Sequence, residues 1–305
     1  MEAKILGIHH VTAIAAAPQP NVDFYTSFLG MRLVKKTVNF DDPGTYHFYY
    51  GDRTGSPGSI LTFFPWPGAR RGYHGSAQVT VTSFAVPKGS LGRWEQRARA
   101  QGLSTDAIAT RFDEEVLSLR DPDGLQLELV GSLEAGEGDA IGKIHSATIS
   151  EEGYERTAKL LTDTMGFRLT NEDGNRFRYE VADGGPGATV DVLCTPDLRR
   201  GSGGAGTVHH IAWRTPDDQQ QFAWHRQLID LQYNVSPVMD RQYFQSIYFR
   251  EPGGVLFEIA TDPPGFAIDE PLESLGTGLM LPLAYEKLRK QIELTLPEIK
   301  VPVLA

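Results

Sequence analysis

Gly253-Gly254-Val255-Leu256-Phe257-Glu258-Ile259-Ala260 reads as an apolar strand entered through a glycine turn, with a single carboxylate inside it. A bare charge in such a strand costs several kcal/mol, so Glu258 requires a partner. Two other apolar strands open with paired imidazoles: Val208-His209-His210-Ile211-Ala212-Trp213 and Ile8-His9-His10-Val11-Thr12-Ala13. Two histidines and a carboxylate drawn from separate strands form a donor set suited to a divalent transition metal. The plainer alternative is an ion pair between Glu258 and Arg241 or Arg250.

Working outward, the same plan of strand, helix and further strands recurs four times, from about Ile8 to Phe64, Ser76 to Leu129, Ile144 to Leu193 and Val208 to Ile259. Helices are expected over 21–29, 90–101, 154–165 and 217–229. In the first and third units the helix ends in Leu29-Gly30-Met31-Arg32-Leu33 and Met165-Gly166-Phe167-Arg168-Leu169, where glycine supplies a left-handed cap before the next strand. The second and fourth close through Asp121-Pro122-Asp123-Gly124 and Glu251-Pro252-Gly253-Gly254, which makes Glu128 the counterpart of Glu258. A β-α-β-β-β unit is too small to bury both faces of its sheet, so the units should pair. The expected fold is α+β, with four modules paired into two domains whose curled mixed sheets enclose a metal cavity. The halves are placed at 5–134 and 140–263. A tail over 264–305 follows, with an amphipathic helix at 283–292 that packs over a module edge or an interface.

Strand alternation sends neighbouring side chains to opposite faces, so one histidine of each pair should ligate. Val11 and Ala13 share a face with His9, and Ile211 and Trp213 with His209, which leaves His10 and His210 as the better ligands. His9 and His209 then either cap the strand starts or act beside the ligands; a bulge would let both roles hold. Pairing modules four and one gives His10, His210 and Glu258, with Thr62 as the counterpart of the glutamate. Pairing four and three offers His145 instead, with Asp191 as a further donor. In the first arrangement the leftover pair keeps only one histidine, so a single metal per chain is expected. Three facial ligands leave about three open positions, the geometry of non-haem Fe(II) oxygenases. A residual charge of about +1 favours a phenolate beside O₂.

Taken with Val34-Lys35-Lys36-Thr37, Pro87-Lys88-Gly89-Ser90-Leu91, Arg241, Tyr243-Phe244 and Tyr248-Phe249-Arg250, these stretches make the chain similar to the vicinal oxygen chelate superfamily. Within it, the chain most resembles the ring-cleaving dioxygenases of hydroquinones and chlorinated hydroquinones. That resemblance implies Fe(II), with Mn(II) as the alternative ion, O₂ as co-substrate and a small aromatic diphenol as substrate. It implies metal ligation by His10, His210 and Glu258, and catalytic roles for His9, His209 and Tyr248. Thr12, Arg241 and Tyr243 are expected at the substrate. Two rival readings are a catechol-type extradiol dioxygenase and a metal-free protein of the same fold that sequesters an aromatic or a drug. His47, His74 and His225 carry no functional expectation.

The remaining composition narrows the partners. With a formal net charge of −10 and pI near 5.3, the chain would repel nucleic acid and anionic membrane surfaces. No apolar run approaches the roughly 18 residues of a membrane helix, and no signal peptide is legible, so a cytoplasmic protein is expected. The lone Cys194 reads as a small packed hydrophobe. A homo-oligomer is left open.

Overall fold

The computed structural model describes residues 3–135 and 140–302. Sixteen strands form two eight-stranded sheets, and in each a central antiparallel contact joins two β-α-β-β-β modules. Modules one and four make one sheet, through Ile8–Ala15 against Thr207–Thr215. Modules two and three make the other, through Gln78–Pro87 against Ile144–Glu151. Each half of the chain therefore contributes one module to each sheet. Pairing four with one is the arrangement that brings His10 towards His210, whereas His145 lies in the other sheet.

The helices follow the expected periodicity with small offsets. Pro18–Val22 runs on as a π-helical turn over Asp23–Phe28, and Glu155–Lys159 does the same over Leu160–Thr164. Gly30 and Gly166 adopt φ of +72° and +79° just beyond them, the left-handed conformation that releases the chain into the next strand. Asp217 caps Asp218–Asp230 by accepting from the Gln220 backbone N–H. Trp94, Trp213, Trp224 and Phe257 are buried between helices and sheets. No helix among the described residues is long and apolar enough to cross a membrane.

The tail departs from expectation. Its α-helix is Arg289–Thr295, preceded by a 3₁₀ turn at Glu286–Leu288, rather than a helix over 283–292. Pro297 shortly beyond fixes where that helix stops. The tail covers the outermost strand of module one, Arg32–Asn39: Met280 N–H donates to Lys36 O, and Arg32 donates to Glu273 O. An edge that would otherwise present unpaired backbone is thereby closed.

Candidate metal centre and substrate cavity

The strand starts explain how neighbouring histidines meet. In the Ile8–Ala15/Thr207–Thr215 ladder, pairing steps from Ile8↔Trp213 to His10↔Ala212, and from Thr12↔His210 to Ala13↔Val208. His9 and His209 are thus the extra residues of two symmetry-related bulges, which locally suspend strand alternation. His9 Nδ1 lies 2.9 Å from His10 Nδ1, and His209 Nδ1 lies 2.7 Å from His210 Nδ1. In each pair one nitrogen must carry the proton and the other accept it.

The Nε2 atoms of His10 and His210 face each other at 3.4 Å. Glu258 Oε2 stands 3.4 Å from the first and 2.8 Å from the second. All three residues are buried. An ion bound at about 2.1 Å by each donor would hold them roughly 3.0 Å apart in a cis-octahedral set and roughly 3.4 Å apart in a tetrahedral one. The observed triangle spans that range, and Glu258 Oε2 has no conventional hydrogen bond. The second carboxylate oxygen accepts from Ser246 Oγ. Burial alone would raise the Glu258 carboxyl, but His10 and His210 outweigh it and hold it well below the usual range. The plainer alternative, an arginine partner for Glu258, is not what the structure shows: Arg250 donates to Gly254 O and Arg241 turns to Tyr248. Ligation through Nε2 would place the ring protons of His10 and His210 on Nδ1, donating to His9 and His209. Burial, with the adjacent His10 adding to it, lowers His9 to about 3, so it stays neutral; His209, whose side chain is exposed at the cavity, is shifted in the same direction by its enclosure and by His210.

Above this triangle opens a cavity of about 460 Å³, walled by Phe40, Tyr49, Phe64, Trp66, Phe244 and Tyr248. The aromatic walls suit a planar ring, and the volume leaves room for substituents or water beside it. Of the residues expected there, Thr12, His209, Arg241 and Tyr248 line it together with His10 and His210. Arg241 Nε donates to the Tyr248 hydroxyl at 3.2 Å, and its Nη1 reaches Asp41 Oδ2 at 3.3 Å. Burial, reinforced by Glu258, pushes the Tyr248 phenol upward, so it keeps its proton.

Two of the residues expected at the site lie outside the cavity. His9 does not line the cavity; it packs behind His10 against Phe244, ring centroids 5.0 Å apart. Tyr243 also points elsewhere. Gln242 takes φ of +67°, which breaks the alternation that would have put Tyr243 beside Arg241, and the Tyr243 hydroxyl donates to Asp269 at 2.9 Å. One residue without a functional expectation does face the cavity: His47, whose Nε2 lies 2.9 Å from Thr62 Oγ1. Its signal was alternation along Tyr46-His47-Phe48-Tyr49-Tyr50. There, Tyr49 pairs with Thr62, the position equivalent to Glu258.

The other sheet shows what the duplicated site became. Its ladder steps from Ser83↔Ser146 to Phe84↔Ile144, so His145 is the bulged residue and matches His209, while Ser146 matches His210. Val79↔Ile149 followed by Val81↔Thr148 puts Val81 in the place of His10. The expected equivalence of His145 with His210 was thus off by one bulge. Glu128 and Asp191 occupy the carboxylate positions, facing Ser83 and Thr148 across parallel pairs. Both are neutralised by arginine: Arg111 grips Glu128 at 2.6 and 2.7 Å, while Arg178 and Arg176 reach Asp191 at 2.8 and 2.9 Å. His145 pairs with Glu114 at 2.8 Å. Among the described residues, the cluster of His10, His210 and Glu258 is the single group fit to hold an ion.

Comparison with known proteins agrees with this architecture. The chain is 50% identical over 304 residues to the "Putative ring-cleaving dioxygenase MhqO" of Bacillus subtilis (strain 168), covering 96% of each. It is 33% identical over 291 residues to the "Chlorohydroquinone/hydroquinone 1,2-dioxygenase" of Sphingobium indicum, covering 90% of each. A crystal structure described as a "putative dioxygenase" from Bacillus subtilis superposes with a TM-score of 0.94 at 49% identity, over 99% of this chain and 100% of that one. Glyoxalase I from Zea mays shares the fold at 15% identity, with a TM-score of 0.65 over 84% of this chain and 92% of that one. The profile of the Glyoxalase/Bleomycin resistance protein/Dioxygenase superfamily matches residues 7–129 and 143–259, one stretch on each side of the internal duplication. Four modules, two curled sheets and matches on both halves make this chain a member of that superfamily.

Proposed function

We propose that the chain is a ring-cleaving dioxygenase that uses Fe(II) and O₂ to open a hydroquinone or a substituted para-diphenol. The observation that carries this reading is the buried triangle of His10, His210 and Glu258 at the floor of an aromatic-walled cavity. Those three residues would hold the ion, and the open side of the triangle faces the cavity. When bound, ferrous iron supplies the one-electron chemistry that lets triplet dioxygen react with an electron-rich ring, which no side chain here offers.

The protein's own part is to place and polarise the ring. Phe40, Trp66 and Phe244 exclude water and fix its plane. Arg241, already paired to Tyr248, offers charged N–H donors to a ring oxygen, and Tyr248 holds that guanidinium at the cavity wall by accepting from it. His209 lines the cavity and, with His210 ligating through Nε2, would accept from the His210 Nδ1–H at its own Nδ1, which leaves its remaining proton on Nε2 as a donor. The likeness to a named chlorohydroquinone/hydroquinone dioxygenase supports the para-diphenol over catechol.

Oxygen uptake by anaerobically prepared, ferrous-loaded protein tests the proposal on hydroquinone, chlorohydroquinone and catechol in parallel. The expected result is about one O₂ consumed per hydroquinone ring. Turnover of catechol alone would move the assignment to a catechol enzyme, and aromatic binding without iron would move it to a sequestering protein. Arg241→Ala is expected to raise KM for hydroquinone about 10–100-fold, the loss of a charge-assisted hydrogen bond, while iron content stays at the wild-type level. Equal loss of iron would show that Arg241 supports the metal and not the substrate.

A further inference from the structure

A chain of three hydrogen bonds runs from the cavity wall to the residue beside the metal ligands, and its polarity can be read by counting protons. Thr62 Oγ1 donates to Thr12 Oγ1 at 2.8 Å. A threonine hydroxyl has one proton, so Thr62 must accept its remaining contact, and His47 Nε2 at 2.9 Å must be the protonated nitrogen. His47 is buried among other cationic and imidazole groups, which keeps it neutral. Its Nδ1 is then a bare lone pair, and the Tyr49 hydroxyl at 2.9 Å must donate to it. The sequence of donations is Tyr49 to His47, His47 to Thr62, and Thr62 to Thr12. Among the described residues, the Thr12 proton meets no protein acceptor, and Thr12 lines the cavity directly across the ladder from His210. A buried hydroxyl left without an acceptor is costly, and the cavity that Thr12 lines is where one can be supplied.

We propose that His47 and Tyr49 are positioning residues that fix Thr12 as a hydrogen-bond donor, so that the site selects a substrate oxygen able to accept, as a phenolate or phenol oxygen beside the metal does. Without the relay, the Thr12 hydroxyl could rotate and donate to Thr62, presenting a lone pair to the cavity instead. The selection rests on the proposed hydroquinone reading; the polarity of the relay does not.

Two measurements separate these parts. In ¹⁵N-histidine-labelled full-length protein, His47 is expected to show a protonated Nε2 and an unprotonated Nδ1. An Nδ1-protonated ring or an imidazolium would overturn the relay. In anaerobic titrations of ferrous-loaded protein with hydroquinone, Thr12→Val is expected to weaken binding about tenfold, the scale of one buried hydrogen bond. His47→Leu should give most of that loss, and the double variant should be no worse than Thr12→Val alone, because both remove the same donor. His47→Gln, which retains one donor and one acceptor, should recover much of the affinity. Additive losses, or a His47→Leu variant that binds like wild type, would overturn the inference. Wild-type protein that fails to bind hydroquinone would overturn the substrate assignment while leaving the measured tautomer to judge the relay.

Discussion

Glu258→Gln should leave a folded protein that no longer retains iron, with affinity lowered by more than about 100-fold. Loss of a group that merely supports a ligand costs roughly 10–100-fold, so loss of a ligand's charge should cost at least the upper end. Glutamine keeps the shape and can still accept from Ser246, but two neutral imidazoles and an amide leave a dication's charge uncompensated. In the metal-free state His10 and His210 hold the carboxyl ionised, so its removal should also cost some stability. Loss of iron from a protein that still folds is what identifies a ligand. A purely structural carboxylate would lose stability and leave the iron in place. His10→Ala should behave likewise, whereas His145→Ala should keep full iron, since His145 pairs with Glu114 in the other sheet. Metal analysis after anaerobic reconstitution, with urea midpoints of the metal-free proteins, reads both quantities. Stoichiometric iron in Glu258→Gln would refute the proposed triad.

The carboxylate was legible because its surroundings contradict it: a charge among Val255, Leu256, Phe257 and Ile259 has to be accounted for. The fold was legible through duplication, since four copies of one pattern constrain each other's boundaries. What escaped reading depends on geometry that breaks a period. The bulges at His9 and His209 were allowed for, but the one at His145 shifts its register by one residue, which misplaced His145 by one position. The positive φ at Gln242 redirected Tyr243 towards the tail. His47 was visible to strand alternation once Thr62 was assigned to the cavity face, but an isolated histidine carries no charge conflict to draw notice. The tail escaped for another reason. It is held by a few buried ionic contacts, and these leave no periodic trace.

Those contacts give the second large effect. Lys35 is fully buried, its ammonium 2.6 Å from Asp269 Oδ1 and 2.5 Å from Glu270 Oε2. Glu270 also accepts from the backbone N–H groups of Gly276 and Gly278, and Asp269 accepts from Gln242 and Tyr243. One lysine on a module-one strand therefore secures the tail, and through Asp269 the tail holds the turn that carries Arg241 and Phe244 to the cavity. Lys35→Met should cost about 3–5 kcal/mol, because it strands a buried carboxylate whose desolvation is no longer offset. It should also raise KM for the substrate without lowering iron content, since the ligands sit on strands the tail does not hold. Adding Glu270→Gln to Lys35→Met should return part of the stability by removing the stranded charge, while KM stays high because Asp269 remains unanchored. A loss below about 1 kcal/mol would mean that water reaches the lysine in solution. Recovery of stability and KM together would mean that the turn follows the general stability of the protein, and that Asp269 does not separately position Arg241.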